Sequence, residues 1–100
     1  MDGVPYQRPE ESMSAVDIYI KNVIATLDLA KKYLPVEELL EAERLVDHGE
    51  PAEGMCSIAW AISNVGVMVP RELIDRVRAY SSELVEEEFM PPDLDSFAAD

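Results

Sequence analysis

Few residues in this 100-residue chain could carry covalent or metal chemistry. There is one histidine, His48, one cysteine, Cys56, and a surplus of carboxylates. Zinc needs three or four strong ligands, and His48 and Cys56 leave carboxylates to complete any set. A carboxylate di-iron centre in a bundle needs Glu-x-x-His on facing helices, and that spacing does not occur here. Glu37 and Glu38 are adjacent, so on a helix they point about 100° apart; with Glu41 they read as a solvated face. Cys56 and His48 would pair as nucleophile and base only if the turn from Gly49 to Pro51 folded them together. The plainer reading is a small buried thiol and a cation at a helix C-terminus. The glycines are scattered, so no phosphate-cradling loop exists. Asp93-Leu94-Asp95 lacks the oxygen run and the glycine of a calcium loop. The expectation is a protein that is not an enzyme, with no catalytic residue, no metal and no cofactor.

Helices must position these side chains. Residues 1–11, with Gly3, Pro5 and Pro9, read as an irregular arm. Ser12 and Ser14 offer N-caps, and Ser14 with Asp17 has capping-box spacing. Val16, Ile20, Val23, Ile24, Leu27 and Leu34 then recur at helical spacing, broadened by Ile18, Tyr19 and Leu29. Lys31 and Lys32 suit the negative end of this first helix. Pro35 stops it and opens a second, carrying Val36, Leu39, Leu40, Glu43 and Val46 and closed by His48 and Gly49. Pro51 starts a third, with Met55, Ala59 and Ile62 on its buried face and Cys56, Trp60 and Ser63 beside it; Asn64-Val65-Gly66 ends it. Val67-Met68-Val69 is a short apolar link. Pro70 opens a fourth, which buries Leu73, Ile74, Val77, Tyr80, Ser81, Leu84 and Val85, turns Arg71, Asp75, Arg76 and Arg78 outward, and frays at Glu86, Glu87 and Glu88. Met90-Pro91-Pro92-Asp93 begins a short acidic tail containing Leu94 and Phe97. No repeat and no strand pair with a hairpin turn is visible. The expected fold is all-α: one small four-helix bundle with an irregular N-terminal arm and an acidic C-terminal tail, its ordered core spanning about residues 12–88.

Composition narrows the function classes. The chain is 48% apolar, enough to build a core and so to fold. Its 21 acids against 8 bases give a net charge of −13, which repels nucleic acid and anionic membrane surfaces alike. No stretch approaches the roughly 18–20 uninterrupted apolar residues of a membrane span. A single cysteine allows no intrachain disulfide, and Met1-Asp2-Gly3-Val4-Pro5 lacks a basic segment followed by an apolar run. A cytoplasmic location is therefore expected.

The charge has a position. Residues 1–33 hold five acids and four bases, residues 34–69 seven and one, and residues 70–100 nine and three. Around the second helix and its following turn, Glu37, Glu38, Glu41, Asp47, Glu50 and Glu53 face only Arg44. Either this is a solubilising surface, or it meets a basic protein partner by electrostatic steering. Trp60, the only tryptophan, reads either as a core residue with an exposed edge or as an interface anchor; Tyr33 is a second candidate anchor. Surplus apolar residues such as Ile18, Leu29 and Met68 leave a homodimer open.

The segment Leu45-Val46-Asp47-His48-Gly49-Glu50-Pro51-Ala52, then Cys56, then Val67-Met68-Val69-Pro70-Arg71-Glu72-Leu73-Ile74-Asp75-Arg76-Val77, resembles the small helical immunity proteins of bacterial polymorphic-toxin systems, the Maf-type immunity family. The likeness covers roughly residues 39–80. Arg71 intervenes between Pro70 and Glu72, and the tail lacks an aromatic-rich ending; both depart from the family pattern. The resemblance implies a stoichiometric inhibitor that binds and neutralises a toxin domain, and many such toxins are nucleases with basic active sites. The alternative is an acidic interaction module or regulatory subunit with no toxin connection.

Overall fold

Helix α1 (Ala15–Ala30) begins at the capping box that the sequence places there. In the computed structural model, which describes residues 14–99, the Asp17 amide donates to Ser14 Oγ at 3.1 Å, and the Ser14 amide donates back to Asp17 Oδ2 at 3.4 Å. The arm expected over residues 1–11 and the alternative cap Ser12 lie outside the described residues. The helix buries Val23, Thr26, Leu27 and Ala30. Val16 and Ile24, expected in the apolar stripe, are instead exposed, as is Ile18, and Leu29 is half-buried against the core. Only one side of α1 meets other elements, so a broad apolar surface is covered in part. The helix also stops four residues before Leu34. That residue enters the core from the following turn.

The second helical segment is split. Val36–Glu38 form a 3₁₀ turn, and α2 proper is Leu40–Asp47. Leu39 and Ala42 are buried, whereas Val36 and Leu40 are exposed. Gly49, with φ +82°, makes the left-handed turn that reverses the chain. Helix α3 (Pro51–Val65) then runs back against α2. Gly54 allows their close approach: a Cβ there would lie 2.8 Å from Val46 Cγ2 and 3.1 Å from the Ala42 carbonyl oxygen.

Helix α3 occupies the centre, touching α1, α2, helix α4 (Arg71–Ser81) and the C-terminal stretch. Its expected face of Met55, Ala59 and Ile62 is fully buried, joined by Ile58. Leu73, Ile74 and Val77 of α4 close the other side. Tyr19 ties α1 to the end of α4. Its hydroxyl donates to the Tyr80 carbonyl, and the two rings meet edge to face at 6.1 Å.

Helix α4 ends earlier than its apolar pattern predicts. Ser81 Oγ donates to the Val77 carbonyl at 2.8 Å and Ser82 Oγ to that of Ala79 at 3.3 Å, a competition with the backbone that serines favour. Leu84, expected in the core, is consequently 79% exposed. Arg78, expected outward, instead clasps the chain that follows, pairing with Glu87 at 3.1 Å and with Asp95.

The acidic tail is part of the packed body. Met90, Pro91 and Leu94 are buried, and Phe97 rests on the core. Two short strands, β1 (Val69–Pro70) and β2 (Ala98–Ala99), pair in parallel with Val69 opposite Ala98 and Pro70 opposite Ala99. The ordered region therefore reaches past the expected limit near residue 88. The fold is a small all-α four-helix bundle, and no helix among the described residues is long and apolar enough to cross a membrane.

Candidate functional site

A groove of about 510 Å³ lies on one flank of the bundle. Three elements build it. Helix α2 contributes Glu41 and Leu45, one turn apart. Helix α3 contributes Glu53, Cys56, Ser57 and Trp60, whose spacing of three, four and seven residues sets them in one stripe. The segment after α4 contributes Leu84, Val85 and Phe89. The early stop of α4 creates this wall, since a continuous helix would have carried Leu84 and Val85 elsewhere.

The wall is fixed by hydrogen bonds to one carbonyl. Trp60 Nε1 donates to the Phe89 oxygen at 2.8 Å, and Cys56 Sγ donates weakly to the same atom at 3.6 Å. Outside the groove, Ser63 Oγ donates to Asp93 Oδ1 at 3.1 Å, and the Arg78 clasp holds Glu87 and Asp95. Trp60 is thereby oriented yet 41% exposed, neither a core residue nor a free surface ring. Leu84 and Phe89 are exposed beside it.

The groove gathers three of the residues singled out from sequence: Glu41, Glu53 and Trp60. Glu50 lies in an adjoining depression with Gly49, Pro51 and Ala52, whose rim again includes Glu53 and Leu84. The other four are not brought in. Glu37 and Glu38 sit on the 3₁₀ turn before α2, Asp47 ends α2, and Tyr33 is exposed on the turn after α1. The apolar wall escaped the sequence reading. Leu84 and Val85 continue the period of α4 and so read as buried helix, and Phe89 falls at the start of the expected tail with no period to mark it. Glu43, on the same helix as Glu41, is committed elsewhere: it pairs with Lys31 Nζ at 2.6 Å and holds that ammonium's pKa above its usual range.

Nucleophilic chemistry finds no support in the geometry. Burial first, then the Glu53 charge, pushes the Cys56 thiol up, away from the reactive thiolate. His48 faces the Arg44 carbonyl, with Nδ1 2.7 Å from that oxygen. The two side chains thus engage different partners. Among the described residues no group of three or more His, Cys, Asp or Glu is placed to hold a metal ion.

Comparison with protein-family models gives no match, and neither the curated proteins nor the solved structures contain a significant match to this chain.

Proposed function

We propose that the protein is an immunity protein that binds and neutralises a cognate bacterial toxin domain in the cytoplasm, using the acidic surface around the Trp60 groove. The observation that carries this reading is the company Trp60 keeps. An oriented, exposed tryptophan lines one groove with exposed Leu84 and Phe89 and with the carboxylates of Glu41 and Glu53. Tight protein interfaces have this composition: a few aromatic or aliphatic anchors that exclude water, with a charged rim. The anchors govern dissociation, while the negative field speeds encounter with a basic partner. A nuclease toxin fits because a site that holds phosphates is basic. The sequence resemblance over residues 39–80 points the same way.

The test is direct binding to the product of the adjacent gene. The expected result is a one-to-one complex whose association rate falls steeply with added salt and whose formation abolishes toxicity. Absence of a complex at low salt overturns the reading. A complex with a non-toxic neighbour overturns its toxin part.

A further inference from the structure

The groove at Trp60 has a lining that discriminates among basic side chains. Its apolar parts, Leu45, Leu84, Val85 and Phe89, come from α2 and from the segment after α4. Its two carboxylates stand on different helices, Glu41 on α2 and Glu53 on α3, and no base lines it. Among the described residues neither carboxylate takes part in the ion pairs, which use Glu43, Glu72, Glu87 and Asp95. The indole is held by its own N–H on the Phe89 carbonyl, so its π-surface does not have to be ordered when a ligand arrives.

We infer that the groove receives an arginine side chain of the protein partner, with the guanidinium stacked on Trp60 and held between Glu41 and Glu53. A planar guanidinium is weakly hydrated, stacks on aromatic rings and offers forked donors to carboxylates. A lysine ammonium is a compact, strongly hydrated point charge and uses the ring less well. The methylene stem of arginine lies along the apolar lining, as amphipathic side chains do. An aliphatic anchor would fill the same volume but would leave both carboxylates facing an apolar group in a narrowed, partly dehydrated space. The site rests on the reading of a protein partner with a basic surface, and it specifies which residue of that partner is the anchor.

Trp60 is the only tryptophan, so its emission and its indole N–H resonance report on this groove alone. The full-length protein is titrated with acetyl-Ala-Arg-Ala-amide, with the lysine peptide, and with the uncharged norleucine peptide. The expected result is a saturable shift of both Trp60 signals with the arginine peptide, about threefold weaker binding of the lysine peptide, and no response to norleucine. The E41Q/E53Q double variant weakens arginine binding by about tenfold, whereas E37Q/E38Q, with the same change of charge off the groove, changes it by less than about twofold. No Trp60 shift with the arginine peptide overturns the inference, as does an equal response to norleucine or an equal loss in both double variants. The adjacent-gene product separates the two claims. If it binds wild type and E41Q/E53Q alike, the arginine site fails and the immunity reading stands. If the arginine peptide binds as expected and that product does not bind, the immunity reading fails and the site stands.

Discussion

The Trp60 indole N–H and the Phe89 carbonyl, 29 residues apart in the chain, meet at 2.8 Å. This bond makes one groove out of two stretches with no sequence relationship. One is a regular helical stripe; the other is an irregular segment whose backbone needs an outside partner. The same bond explains why Trp60 is both exposed and ordered.

Replacing Trp60 with Phe removes the donor and keeps an aromatic ring. The expected loss is about 1 kcal/mol of stability, the net worth of one such hydrogen bond. Amide exchange checks the mechanism: the Phe89 and Met90 amides, which bond to Glu86 and Glu87 carbonyls, should exchange faster, while those of α1 are unchanged.

Gly54→Ala tests the approach of α2 to α3. Alanine improves helix propensity by about 1 kcal/mol. Its Cβ would nevertheless meet the Ala42 carbonyl oxygen and a β-branched methyl of Val46 at contact distances below those of ordinary packing. Overpacking of this kind costs about 1–3 kcal/mol, so urea denaturation should show net destabilisation.

Leu94→Ala distinguishes a structural tail from a solvated one. Leu94 is fully buried, and truncating such a leucine costs about 2–5 kcal/mol. A lowered thermal midpoint is expected. Leu84→Ser, at a residue 79% exposed, should move stability by less than about 0.5 kcal/mol and weaken partner binding.

The Cys56 thiol gives a pH signature. Its folded-state pKa is raised by burial and by Glu53, so the folded state holds the proton more firmly than the unfolded chain. The associated stability is complete below the unfolded thiol pKa of about 8.5 and is lost as pH rises through the higher folded value. Iodoacetamide alkylation followed across pH should show its midpoint above that of the urea-unfolded protein. Cys56→Ser should flatten the alkaline fall in stability.

Much of the bundle is legible because its signals are local. The Ser14 and Asp17 capping box, the turn at Gly49 and the Met55, Ala59 and Ile62 face each follow from spacing or from the conformational limits of one residue. The C-terminal half of the groove is illegible for the converse reason. Leu84 continues the helical period of α4, and nothing in that period announces that Ser81 and Ser82 divert the backbone. Leu94 and Phe97 stand among prolines and aspartates with no period, so their burial depends on partners far away in the chain. Charge marked Glu41 and Glu53, which line the groove, but could not separate them from Glu37, Glu38 and Asp47, which do not. Which acids share a groove depends on how α2 and α3 are rotated against each other.

The parallel pairing of β1 with β2 joins residues 29 positions apart, and it has a consequence for the order of events during biosynthesis. Helices α2 and α3, joined by the short turn at Gly49 and in extensive contact, can pair as soon as they are made. The stretch that closes onto Val69 is the last of the described residues to be synthesised, and Phe89 docks on Trp60 only as that stretch settles. A nascent chain paused after α4 holds most of the hydrophobic core yet has no completed groove. The groove is therefore completed late, once residues 84–89 have settled against α3.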